Sequence, residues 1–294
     1  MTTRQRKVSV QMSLPPAELP PNSPPLSQTL SLSNGSPLKG PPRYNVLGVG
    51  VSALTLTQAR DLVLGARGVR QLGYVCVTPV HAVSEARSDP AFRKILNESF
   101  LTTPDGMPLV WLAPPGVERV YGPDLMLAVC DAGRARGLRH YFYGGAPGVA
   151  ELLREKLCAR FPGLEVTGTF TPPYRPLNAE EAAALRADVT RARPDIIWVG
   201  LGTPKQERFM AANWRTLDAG LLIGVGAAFD FHSGRIRQAP RWMQRSGLEW
   251  LFRLGTEPRR LGPRYLTTNP LFVLRVLAQR SGIKKYPLDG RAGL

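Results

Sequence analysis

Four short segments set glycines and isolated polar side chains where an apolar run gives way to a helical pattern. The richest is Trp198-Val199-Gly200-Leu201-Gly202-Thr203-Pro204-Lys205-Gln206-Glu207. A helix dipole favours anions at its N-terminus, so Lys205 in the first turn makes chemical sense where an anion lies between the two. Gly200 and Gly202 let backbone N–H groups approach a phosphate, with Gln206 and Glu207 alongside; a capped structural turn is the plainer alternative. In Tyr141-Phe142-Tyr143-Gly144-Gly145-Ala146-Pro147-Gly148 the glycines Gly144, Gly145 and Gly148 offer the same close approach. They lack the full GxGxxG spacing, and tight-turn glycines explain them equally well. The third segment, residues 223–234, sets Asp230 between two phenylalanines behind a run of small residues. Asp230 suits a hydrogen bond to a ribose or base edge, or a turn cap. The fourth, Thr102-Thr103-Pro104-Asp105-Gly106-Met107-Pro108, ends an apolar strand on Asp105. A Pro-Asp-Gly turn is common punctuation, so local pattern alone does not make this carboxylate catalytic.

Metal chemistry has little to work with. There is no Asp-x-Asp and no His-x-x-x-His, and His81, His140 and His232 are scattered, so no metal is expected. Cys76, Cys130 and Cys158 are too widely spaced for a disulfide framework or a CxxC knuckle, which fits a reducing, cytosolic compartment. No other cofactor is called for.

The elements that must position these segments alternate. Strand patterns cover Val46–Val51, Tyr74–Thr78, residues 141–143, Leu164–Thr169, Ile196–Val199 and Leu221–Val225. Between them lie helical patterns at Thr57–Val69 (N-capped by Thr55 or Thr57), His81–Arg87, Pro90–Ser99, Asp124–Arg136, Gly148–Phe161, Ala179–Ala192 and about Gln206–Trp214. Strands apolar on both faces, interleaved with helices, predict a mostly parallel sheet flanked by helices. Residues 1–42 hold nine prolines among Ser and Asn and no aromatic residue, the composition of a disordered tail. The expected organisation is that tail, an α/β core over 43–233, a C-terminal appendage over 234–285 and a flexible end over 286–294. The apolar stretch around Ala219–Phe229 is about half the ~20 residues of a spanning helix, and no secretory signal is apparent, so a soluble or peripheral chain is expected.

Charge is local. The chain carries a formal +16, but residues 234–294 hold 13 basic against 3 acidic residues while the core is close to neutral. Such a segment favours a polyanion: nucleic acid, an anionic membrane or phosphorylated substrates. Nucleic-acid binding is the alternative function, weakened by the absence of a helix-turn-helix, zinc-finger or RNA-binding signature. A nicotinamide-dependent dehydrogenase needs the GxGxxG that residues 144–148 do not supply.

Taken in order, several blocks resemble the WecG/TagA/CpsF family of bacterial glycosyltransferases over about Tyr44 to Arg280. They are Asp105-Gly106, Arg119-Val120-Tyr121-Gly122-Pro123-Asp124-Leu125, the 200–207 and 224–230 segments, Ala239-Pro240-Arg241-Trp242, Gly247-Leu248-Glu249-Trp250-Leu251-Phe252-Arg253-Leu254, and Pro258-Arg259-Arg260 with Arg264-Tyr265. The resemblance implies a Rossmann-like α/β core with a C-terminal appendage. It also implies inverting, metal-free hexosyl transfer of an N-acetylmannosamine-like sugar or hexose from a UDP-sugar. The implied acceptor is a polyprenyl-diphosphate-linked saccharide at the inner membrane face. Carried over by position, Asp105 is the general base and Thr78 lies beside it in the pocket. One departure is Val80, where the family usually has Asn, which removes a hydrogen-bonding group. The run 105–111 looks like a subgroup acting in exopolysaccharide assembly.

The chemistry agrees. An Asp is ionised at pH 7 and can take the acceptor proton as charge develops. With no Asp-x-Asp to hold Mg²⁺, guanidinium groups are the natural stabilisers of a departing diphosphate. The appendage offers Arg241, Arg245, Arg253, Arg259, Arg260 and Arg264. It also interleaves Arg with Trp242, Met243, Leu248, Trp250, Leu251, Phe252 and Leu254, followed by Leu271–Leu277, a composition suited either to packing on the core or to an inner-leaflet surface. A homo-oligomer is left open.

Overall fold

A computed structural model describes residues 38–68, 72–256 and 258–288; the side chains of 260, 261 and 263–267 fall outside that description. Most of the expected N-terminal tail, residues 1–37, and the last six residues therefore lie outside it too.

The first element among the described residues is a hairpin, β1 (Arg43–Val46) and β2 (Val49–Ser52), where the sequence predicts one strand. The turn is Leu47-Gly48, with φ of 54° and 89°, both in the left-handed region that a two-residue hairpin requires. Leu47 hides this signal, since Asn or Gly is the usual choice; its side chain is completely buried, which offsets the strained backbone. Helix α1 (Leu56–Ala66) follows, begun by a Thr55/Gln58 capping box. Six strands then form one parallel sheet: β3 (Gly73–Thr78), β4 (Leu101–Pro104), β5 (Arg139–Gly144), β6 (Glu165–Phe170), β7 (Ile196–Gly200) and β8 (Leu221–Gly224). Their spatial order is β4-β3-β8-β7-β5-β6. The chain builds outward to β4 on one side and to β6 on the other, then returns through β7 and β8 to the centre.

Helices α2 (Val80–Glu85), α3 (Pro90–Glu98), α7 (Ala179–Ala192) and α8 (Lys205–Asn213) contribute to one apolar layer, and α1, α5 (Gly122–Gly133) and α6 (Val149–Arg160) to the other. Strands β3, β4 and β8 are buried along their whole length, as a sheet covered on both faces should be. Register aligns the strand ends: Thr78 pairs with Pro104, Val199 with Gly224 and Gly144 with Gly200. The four segments singled out above thus emerge at one edge. Two short helices there read as turns in the sequence, α4 (Met107–Trp111) and α9 (Ala228–His232).

The appendage is helical: α10 (Arg241–Arg245), α11 (Glu249–Thr256) and α12 (Pro258–Arg280), the last running through Pro263 and Pro270. Phe272 and Val276 of α12 are buried in the core. The Gln279 amide bridges the hairpin, accepting from Leu47 N–H at 2.9 Å and donating to Asn45 O at 3.2 Å. Tyr286 is buried and its carbonyl accepts from Asn45 Nδ2 at 2.6 Å, so the packed chain extends past the expected boundary at 286.

Candidate functional site

The strand ends open onto a cavity of about 1960 Å³, lined across from them by residues of α10, α11 and α12. Sites for drug-sized ligands usually measure about 300–1,000 Å³, so this one is larger than a single small ligand needs.

Asp105 follows β4 directly and lines this cavity. Its N–H donates to Thr78 O at 3.1 Å, while Val120 N–H donates to Pro104 O at 2.9 Å, which fixes the strand end between β3 and the segment before α5. Burial is the largest influence on its carboxyl and pushes it up to about 6; Arg119 opposes this, Glu249 reinforces it, and Arg253 opposes it. Oδ1 is buried without a hydrogen-bond partner. The Arg119 guanidinium passes 3.7 Å from Oδ1 and makes its close ion pair, 2.6 Å, with Glu249 of α11. Tyr121 O–H, held protonated by burial, donates to the other Glu249 oxygen at 3.0 Å. Thr78 is not on the cavity wall as expected. It is buried, and its hydroxyl donates back to Cys76 O at 3.0 Å within its own strand.

The loop after β7 places Gly200, Gly202, Lys205 and Gln206 on the cavity. Gly202 has φ +75°, and its N–H donates to Gln206 Oε1 at 3.2 Å. Glu207 departs from expectation: it is buried off the cavity. One of its oxygens accepts from Thr203 Oγ1 at 2.8 Å and from Gln206 Nε2 at 3.1 Å, so it braces the loop that presents Lys205. Burial raises its carboxyl. Gly144 is likewise off the wall; a Cβ there would lie 2.6 Å from Gly200 O, so it is glycine because the paired ends of β5 and β7 touch. Its neighbour Gly145 does face the cavity and donates its N–H to Gly200 O at 3.0 Å. Asp230 lines the cavity from α9, after Phe229, whose ring backs Gly200. Val80 also lies on the wall, and its side chain offers no hydrogen bond there.

Of the six appendage arginines named from the sequence, Arg253 reaches the cavity. Arg241 turns outward to pair with Asp124, its Nη1 3.0 and 2.8 Å from the two carboxylate oxygens. Arg245 and Arg259 are exposed and off the wall, and the side chains of Arg260 and Arg264 lie outside the described residues. Cationic side chains on the wall include Arg119, Lys205, Arg208, Arg235, Arg253 and Arg280. Among the described residues, no three His, Cys, Asp or Glu side chains gather to hold a metal ion. Arg119, Tyr121 and Glu249 were visible in the sequence only as parts of matching blocks, without a role. The signal for the first two is the unusual Arg-x-Tyr-Gly-Pro run ahead of a helix, and for Glu249 the Gly-Leu-Glu-Trp block.

The sequence model of the glycosyl transferase WecG/TagA/CpsF family matches residues 44–286. The chain belongs to that family. It is a glycosyltransferase, and the cavity at its strand ends is its candidate active site. One relative, from Bacillus spizizenii, is 29% identical over 211 residues, covering 70% of this chain and 79% of the relative. It is an N-acetylglucosaminyldiphosphoundecaprenol N-acetyl-beta-D-mannosaminyltransferase. A Bacillus subtilis protein of the same name is 26% identical over 205 residues, covering 68% of this chain and 77% of its own.

Proposed function

We propose that this glycosyltransferase moves a sugar from a UDP-sugar to a polyprenyl-diphosphate-linked saccharide, with Asp105 as general base and inversion at the anomeric carbon. The acceptor class follows the names of the Bacillus relatives. The observation that carries the mechanism is Asp105, a carboxylate on the cavity wall whose burial lifts it to about 6. A base tuned toward neutral pH is more effective than an ordinary Asp and is still mostly ionised at pH 7.

In the reaction an acceptor hydroxyl gives its proton to Asp105 while its oxygen forms a bond to the sugar C1. The C1–O bond to the nucleotide breaks, and the electron pair leaves on the β-phosphate oxygen of UDP. A single displacement inverts C1. Arg253 and Lys205, with Arg235 at the rim, meet the growing diphosphate charge and make a metal unnecessary. Gly200, Gly202 and Gly145 bring backbone close to the nucleotide, and Gln206 and Asp230 supply hydrogen bonds. Thr78, Gly144 and Glu207 serve by holding the strand ends and loop. The 234–285 segment is a helical lid over the core, and its exposed apolar side chains rest on the anionic inner leaflet.

The test is a panel of UDP-sugars with a short prenyl-diphosphate N-acetylglucosamine acceptor, read by mass spectrometry and by the anomeric configuration of the product. Wild-type protein should form a singly glycosylated, inverted product in EDTA. Asp105→Asn should fold and lose about 10²–10⁴-fold in turnover. A retained anomeric configuration, or full activity in the Asn variant, would remove the mechanism.

A further inference from the structure

Arg119 lies within ion-pair distance of two carboxylates and hydrogen-bonds one. Its Nη2 lies 2.6 Å from Glu249 Oε2 and 3.7 Å from Asp105 Oδ1. Nη1 is directed at Gln244 O, 3.4 Å away, and Nε donates to the backbone carbonyl of Asp105. The guanidinium also stacks 4.0 Å above the Tyr121 ring. None of its nitrogens is therefore hydrogen-bonded to the Asp105 carboxylate, and Oδ1 stays buried without a partner. Glu249 is held in turn, one oxygen by Arg119 and the other by Tyr121 O–H at 3.0 Å.

We propose that Glu249 is a positioning residue for glycosyl transfer: by engaging Arg119 it keeps that cation from closing onto Asp105, and so leaves the base free to accept a proton. The proposal rests on the reading of Asp105 as the base. An Arg⁺ paired directly with a carboxylate lowers its pKa by about 1–3 units, which would turn Asp105 into a poor proton acceptor. Glu249 sits on the appendage, whereas Arg119 and Asp105 belong to the core. Base strength is then coupled to appendage docking, and an undocked appendage leaves the enzyme with a quenched base. The other groups facing Asp105 do not duplicate this. Tyr121 is neutral, Arg253 of α11 is a second cation, and His81 of α2 lies on the same cavity wall.

Glu249→Gln is nearly isosteric and removes the charge. The pH dependence of kcat/KM and a ¹³C titration of the Asp105 carboxyl, assigned with Asp105→Asn, read the result independently. The Asp105 midpoint should fall by about one unit or more, turnover at pH 7.5 should drop about threefold to tenfold, and Glu249→Asp should restore part of both. A uniformly lower rate with an unmoved midpoint would make Glu249 a purely structural contact and overturn the proposal. Full turnover by Asp105→Asn would instead sink the base assignment, while the carboxyl titration would still report what Glu249 does to Arg119.

Discussion

At the scale of single residues, a half-buried carboxyl and a buried imidazole pull the pH dependence of stability in opposite directions. Burial holds the Asp105 carboxyl near 6 against an ordinary 3.8. The folded state therefore binds the proton first, and stability rises as pH falls from 6 toward 4. His140 is fully buried, accepts at Nδ1 from Trp198 Nε1 at 3.0 Å, and has its pKa lowered by burial to about 4. Here the unfolded state binds the proton first, so stability is lost as pH falls from 6.5 toward 4. Each contribution is about 3 kcal/mol at its limit, so in the wild type they largely cancel between pH 6.5 and 4. Urea titrations should separate them. Asp105→Asn should be more stable than wild type at pH 8, by up to about 3 kcal/mol, and should lose that advantage at pH 4. His140→Gln, which keeps an acceptor for Trp198, should be relatively most favourable at pH 4. Parallel stability curves for all three proteins would contradict both assignments.

Among elements, the site depends on strand ends held in register by contacts far from the chemistry. The Arg43 guanidinium, on β1, donates to Asn97 O at 3.1 Å and Phe100 O at 3.3 Å, and also to Ser99 O, all just ahead of β4. Arg43→Ala leaves these partly buried carbonyls short of a donor and should cost about 2–3 kcal/mol, read as a lowered urea midpoint. A change below ~0.5 kcal/mol would show that water replaces it. Gly200→Ala places a Cβ 2.7 Å from the Phe229 ring and should displace the loop carrying Lys205. Donor KM should then rise more than kcat falls, by about tenfold; unchanged KM would mean that the loop does not bind the nucleotide. The sequence made the core elements legible because apolar runs and helical periods are local: α7 is found at Ala179–Ala192 as read. It made the site half legible. Asp105, Lys205 and Asp230 sit at strand ends that a parallel sheet must bring together. The Arg119–Glu249 pair spans 130 positions and each partner reads alone as an ordinary surface charge. For the arginines of the appendage the converse holds, since a basic run fixes charge and not direction: Arg241 faces Asp124 and Arg245 faces solvent.

For the whole molecule, the appendage gathers the charge and exposes apolar surface together. Helix α12 buries Phe272 and Val276 on one face and exposes Leu271, Leu274 and Leu277 on another, with Trp242, Trp250 and Leu251 exposed on the preceding helices. No described helix is long and apolar enough to cross a membrane. A helix apolar on two faces needs two partners, and Lys and Arg near an anionic leaflet each add about 1 kcal/mol. Vesicles rich in anionic lipid should bind the protein, with affinity falling as salt rises. Leu274→Glu should weaken that binding about tenfold or more at unchanged thermal stability, whereas undiminished binding would remove this face from the contact.

All of this converges on one carboxylate. The pH dependence of kcat/KM for the wild-type enzyme on a soluble acceptor should show an acid limb with its midpoint near 6, falling tenfold per unit below it and absent from residual turnover of Asp105→Asn. A rate that stays level down to pH 4.5 would mean that Asp105 does not take the acceptor proton.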